Sequence, residues 1–140
     1  MATDPKKPDR LRVLVAEDNR EMRNAIVRLV ETEYEVVGTV SDGRALVKAV
    51  AELRPDIGVF DISMPVMNGI EAALEIRKHD SKIKIVFLTV NEDTDFVSAA
   101  LDAGANGYVV KRQMASDLLT ALKEAREGRN FISSCCELSD

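Results

Sequence analysis

The sequence predicts an α/β domain made of five strand–helix units around a parallel sheet. Three observations carry that expectation. Short runs rich in Val and Ile recur five times, nearly continuous in apolarity, as strands buried on both faces are. Between them lie segments whose apolar residues return every three to four positions, the helical period. The chain has 140 residues, 46% hydrophobic and 31% charged, which suits one domain with a real core and leaves no room for two.

The elements follow in order. Residues 1–10, MATDPKKPDR, hold two prolines and five charged side chains and read as a disordered leader. The strands are Leu11 to Ala16, Glu35 to Val40, Ile57 to Ile62, Ile83 to Val90 and Gly107 to Val110. The helical stripes are Met22, Ile26, Leu29 and Val30; then Leu46, Val47, Val50 and Leu53; then Ile70, Ala73, Leu74 and Ile76. Phe96, Val97, Ala100 and Leu101 continue the series, and Leu118, Leu119, Leu122 and Ala125 close it. Asp42-Gly43 reads as a turn into a helix and Gly128 as a helix stop, so the domain spans 11–128. Residues 129–140 are left as a tail or the start of a linker. Helices on both faces of a parallel sheet follow from right-handed crossovers.

Composition excludes several classes. A net charge of -5 argues against a nonspecific nucleic-acid binder. No apolar run approaches the roughly 20 residues that span a bilayer, and no secretory signal opens the chain. Both cysteines, Cys135 and Cys136, are adjacent near the C-terminus, which excludes a disulfide framework and a four-ligand zinc site. A cytoplasmic, metal-site-poor α/β or α+β domain remains.

Ligands of an open parallel sheet bind beyond the carboxyl ends of its strands. The first strand ends in Glu17-Asp18-Asn19, the third carries Asp61, the fourth ends at Thr89 and the fifth at Lys111. A carboxylate within IGVFDI costs desolvation unless it is paired or has a task. The plain alternative is an Asp that caps the next helix. Asp61 does not stand alone, however: Glu17 and Asp18 converge on the same end, and three carboxylates there call for a cation. A hard divalent ion with oxygen ligands, Mg2+ first, meets that need. Lys111 then neutralises a second anion and the Thr89 hydroxyl donates to it, which suits a phosphoryl group on a carboxylate.

With these residues in place the chain resembles the receiver domain of two-component response regulators. VLVAEDN is similar to the family's acidic-pair segment, and VFDISMPVMNG to its D-x-x-M-P-x-x-x-G segment. FLTV is similar to its hydroxyl-bearing strand, and GANGYVVK to the segment that ends in lysine. Each alone is weak; all four in order are a strong signal, and they cover about Leu11 to Gly128. The resemblance implies a flavodoxin-like (βα)5 three-layer sandwich with a five-stranded parallel sheet of order 2-1-3-4-5.

Carried over by position, the resemblance makes Asp61 the phosphoacceptor. Mg2+ would be held by Glu17, Asp18, Asp61 and the backbone carbonyl of Ser63. Thr89 would be the switch hydroxyl that moves toward the phosphoryl group, and Lys111 would pair with that group. Tyr108 matches the aromatic switch position and would rotate inward behind Thr89. Its plain reading is a half-buried aromatic on an edge strand. Arg112 stands where many members have proline after a cis bond, so the geometry of that loop is left to the structure.

Val90 after the threonine, the acidic NEDTD stretch and YVVK followed by a non-proline resemble the NarL/FixJ subfamily, whose receivers precede a LuxR-type helix-turn-helix. The implied function is a phosphorylation-activated switch, not an enzyme. A sensor histidine kinase would be the donor, and transcription the output, through a domain absent from this chain. DNA would be met only through that domain, and the membrane not at all. A homodimer would form through the face of the fourth helix, fifth strand and fifth helix. The alternatives are a stand-alone receiver acting by protein–protein contact and an aspartyl-phosphate phosphatase. The phosphatase generally needs a second aspartate two residues after its nucleophile, where this chain has Ser63. His79, the only histidine, reads as a solvated helix-end residue.

Overall fold

Asn and Asp side chains start four of the five helices. Asn19 accepts from the Met22 amide, Asp42 from Ala45, Asn68 from Glu71 and Asp93 from Asp95. At Asn68 the Glu71 carboxylate returns the bond to the Asn68 amide, so two otherwise orphaned donors are met at once. The computed structural model describes residues 10–80 and 82–134; all but the last residue of the expected leader, and Cys135 and Cys136, lie outside them.

The elements alternate as expected. They run β1 Arg12–Ala16, α1 Arg20–Val30, β2 Glu35–Val40, α2 Gly43–Leu53, β3 Ile57–Phe60 and α3 Gly69–Arg77. Then come β4 Lys84–Thr89, α4 Thr94–Asp102, β5 Gly107–Val110, a 3-10 turn Lys111–Gln113, α5 Met114–Arg126 and β6 Phe131–Ile132. Every pairing is parallel, in the order β2-β1-β3-β4-β5-β6.

The expected order 2-1-3-4-5 is present, and a sixth strand extends it. Five strands was therefore one short: Phe131 pairs with Gly107 and Ile132 with Tyr108. Part of the segment read as tail or linker belongs to the sheet. Ser133 completes the joint. It is fully buried, its amide donates to the Tyr108 carbonyl, and its hydroxyl accepts from the Val110 amide and donates to Asp117.

Two apolar layers hold the helices to the sheet. Leu14, Phe60, Phe87 and Tyr108 pack with residues of α2, α3 and α4 on one face. Val15, Val59, Leu88 and Val109 pack with residues of α1 and α5 on the other. Phe60 meets Phe87 edge to face at 6.1 Å between centroids. Strand residues thus alternate between two cores, which is why their sequence shows no polar face. No described helix is long and apolar enough to cross a membrane.

Gly69 is required by close approach. A Cβ there would sit 2.1 Å from the Asp61 carbonyl oxygen, a backbone atom that cannot rotate away. Gly128, at φ +83, ends α5 as its position predicts.

Candidate functional site

Three strands deliver carboxylates and an amine to one end of the sheet. β1 runs into Glu17 and Asp18, β3 into Asp61, and β5 into Lys111. Asp61 lies just beyond β3, not inside it, and Lys111 opens the 3-10 turn instead of closing β5. Asp61 caps no helix; the cap of α3 is Asn68. The plain reading of Asp61 is thereby removed.

Oxygens of Glu17, Asp18 and Asp61 lie within 4.8 Å of one another. Glu17 and Asp61 are buried and Asp18 is exposed. The Lys111 ammonium sits 2.7 Å from Glu17 Oε1 and 3.3 Å from Asp61 Oδ2. The other Glu17 oxygen accepts from the Asn19 amide at 3.0 Å. Arg23 donates to the Glu17 carbonyl at 2.9 Å and so ties α1 to the acidic loop. The Ser63 amide donates to Asp61 Oδ1 at 3.3 Å.

Burial, and behind it the charge of Glu17, pushes the Asp61 carboxyl up to about 6 against the pull of Lys111. Burial works against the Lys111 ammonium too, but contacts with Glu17 and Asp61 outweigh it and hold its pKa above the ordinary value. One lysine cannot neutralise three carboxylates. The donor set, three hard oxygens with one partner facing solvent, suits a hard divalent cation that keeps part of its water.

Thr89 ends β4 fully buried, and its Oγ1 accepts from the Asn91 amide at 3.2 Å and from Asn91 Nδ2 at 3.3 Å. Tyr108 corrects its plain reading. It is fully buried, its strand is covered by β6, and its hydroxyl donates to the Asn91 carbonyl at 2.8 Å. Arg112 forms a two-pronged ion pair with Glu92, at 2.6 and 3.0 Å. No cis peptide bond occurs among the described residues, so the bond before Arg112 is trans. His79 is exposed beyond the end of α3, with Nε2 3.9 Å from Glu75, as read.

Sequence reasoning did not find Arg23 or the Arg112–Glu92 pair. Glu92 was visible only as part of an acidic stretch, and nothing local ties it to an arginine so far along the chain.

A parallel sheet with this order and an acidic cluster facing a lysine at its carboxyl end defines the class to which the comparisons also lead. The family model "Response regulator receiver domain" matches residues 13–123, and the chain belongs to that family. Among curated relatives it is similar to the transcriptional regulatory protein DegU of Brevibacillus brevis. The identity is 30% over 126 residues, covering 89% of this chain and 53% of DegU. Among solved structures it is similar to a LuxR-family two-component response regulator of Aurantimonas sp. SI85-9A1. There the TM-score is 0.86 at 31% identity, with 90% of this chain and 91% of that one covered. The isolated receiver domain of RcsB from Salmonella enterica serovar Typhimurium, solved with the phosphomimetic BeF3-, gives a TM-score of 0.84 at 28% identity. The coverage is 91% of this chain and 96% of that one. The chain thus spans about half the length of the DegU relative it matches.

Proposed function

We propose that the chain is a phosphorylation-activated signalling switch in which Asp61 accepts a phosphoryl group from a sensor histidine kinase. The observation that carries this reading is the meeting of Glu17, Asp18, Asp61 and Lys111 at one end of the sheet. An Asp61 oxygen attacks phosphorus, its P–O bond forming as the donor's P–N bond breaks, and the imidazole departs with the electron pair. Above about pH 6 the Asp61 carboxyl is ionised and ready to attack.

Glu17, Asp18, Asp61 and the Ser63 carbonyl would hold Mg2+, with Asp18 the most open of the acidic side chains. The ion would supply positive charge to the phosphoryl oxygens. Lys111 supplies a second positive charge, already beside Asp61. Thr89 donates its hydroxyl proton once it turns from Asn91 toward the phosphoryl group. Tyr108 holds the loop after β4 from the side of β5.

The domain's role is regulatory, with transfer and hydrolysis as its only chemistry. The whole protein would regulate transcription in the cytoplasm through an output domain beyond this chain. The name of the DegU relative and the share of it that the chain spans support that reading. The face of α4, β5 and α5 would carry a homodimer contact.

Intact-mass spectrometry after treatment with a small acyl- or amido-phosphate and Mg2+ tests the assignment. One phosphoryl adduct is expected, missing in Asp61→Asn. An unchanged adduct in that variant overturns it.

A further inference from the structure

The charges of this chain are segregated. No Lys or Arg stands between Pro55 and Ile76, and none between Ile85 and Val110, although the chain holds 19 of them. Those two stretches supply α4, all of α3 but its last residue, Arg77, and the loops that precede both helices. Of the basic residues bordering them, Arg77 turns inward to the carbonyls of Ile83 and Gly104, and Lys78 pairs with Glu75 at the end of α3. Lys111 faces Glu17 and Asp61, and Arg112 is committed to Glu92. Arg54 and Lys84 stand at the opposite end of the sheet, before β3 and at the start of β4. The surface at the first turns of α3 and α4 is therefore acidic, through Glu71, Asp93 and Asp95, with no lysine or arginine of its own, and Asp102 adds a carboxylate at the far end of α4.

The same surface holds the exposed large apolar side chains. Among the described residues these are Val66, Leu74, Val90 and Phe96, and all four fall on α3, α4 or the loops leading into them. Between the helices lies a shallow cleft of about 210 Å3, lined by Asn68, Ile70, Glu71, Asp95, Phe96 and Ala99. Leu74 follows Ile70 by one helical turn and extends the apolar strip along α3. The cleft is smaller than the roughly 300–1,000 Å3 of a small-molecule site, but it has room for one large apolar side chain.

We propose that the α3–α4 cleft is a docking site for a cationic amphipathic helix of a protein partner. An apolar anchor enters against Ile70 and Phe96, and lysines or arginines face Asp95, Asp102 and Glu71. Charge complementarity selects this occupant: an acidic rim repels nucleic acid and acidic segments, and an apolar floor rewards a helix with one apolar stripe. The site does not require phosphorylation, so it stands apart from the function proposed above.

The test uses unphosphorylated full-length chain and a fluorescein-labelled synthetic helix of Leu and Lys in amphipathic register. Anisotropy gives its affinity and amide NMR shifts give its location. Expected are shifts confined to α3, α4 and their leading loops. Affinity should fall at least about tenfold in Asp95→Lys/Asp102→Lys, and by less than about twofold in the control Glu31→Lys/Glu33→Lys. Phe96→Ser, which keeps the charge, should weaken binding as well, and NMR dispersion verifies the fold of each variant. Equal losses in the control, shifts spread over α1 or α5, or no binding each overturn the proposal. Self-association in sedimentation that Phe96→Ser abolishes would give the cleft to a second copy of the chain, and overturns it too.

Discussion

The Tyr108 hydroxyl donates to the Asn91 carbonyl across the gap between β5 and the loop after β4, at 2.8 Å, with its ring fully buried. The ring thus already lies inside the fold, where the resemblance expects it to turn only on phosphorylation. Arg112 and Glu92 join the same loop to the 3-10 turn from outside. The two fastenings fall on adjacent residues, Asn91 and Glu92, two and three positions after Thr89.

Tyr108→Phe removes the inner fastening and leaves the ring in place. A lost hydrogen bond of this kind costs about 0.5–1.5 kcal/mol. Amide hydrogen exchange over residues 90–95 should speed up several-fold while β1 and β3 stay protected. Arg112→Ala breaks an exposed pair, worth about 1 kcal/mol or less, and should shift exchange in that loop by less than Tyr108→Phe does. Unchanged exchange in Tyr108→Phe would mean that the hydroxyl does not hold the loop.

Asp61 burdens the fold at neutral pH. Its carboxyl titrates near 6 in the native state and at its ordinary 3.8 when unfolded. Between those values the native chain binds a proton that the unfolded chain has released, so stability falls as pH rises through the window. Above about pH 6 the penalty is complete. Asp61→Asn should therefore stabilise the chain by the order of 1–3 kcal/mol at pH 7.5, with the gain shrinking toward pH 4. Lys111 keeps Glu17 as its partner in that variant. Urea denaturation at both pH values checks the sign.

Mg2+ should relieve the same repulsion. Thermal unfolding at pH 7.5 is expected to shift upward on adding Mg2+ in the wild type and much less in Asp18→Ala, because Asp18 is the acidic residue least engaged with the protein. Equal shifts in both would place the ion elsewhere.

Gly69→Ala should be among the most harmful single methyl groups added to this chain. The new Cβ meets backbone at the Asp61 carbonyl and at Ile62, so the loop after β3 has to move. Overpacking of this kind costs about 1–3 kcal/mol, read as a lower urea midpoint, and it should also slow phosphoryl uptake.

The strands and helices could be read from the sequence because buried parallel strands are apolar throughout and the helices between them return apolar residues at the helical period. That Glu17, Asp18, Asp61, Thr89 and Lys111 gather at one end of the sheet could be read because each ends or closely follows a strand of one direction. β6 could not, because Phe131 and Ile132 are too few to show a period. The division of labour between neighbours was hidden as well. Glu17 is buried on Lys111 and Asp18 faces solvent, and which of two adjacent side chains turns inward depends on the strand's pleat. Only the plain reading of Tyr108, a half-buried aromatic on an edge strand, failed, because its burial depends on the strand that covers β5.

That sixth strand has a consequence for handling the protein. A β5 left as the outermost strand would present bare amides and carbonyls, a template on which another chain can lay its own strand. A version cut at Gly128 loses Phe131, Ile132 and the Ser133 bonds to Tyr108 and Val110 together. Such a version should scatter light on mild warming sooner than one that runs through Ser134. The portable unit, for fusion or transplantation, runs through at least Ser133.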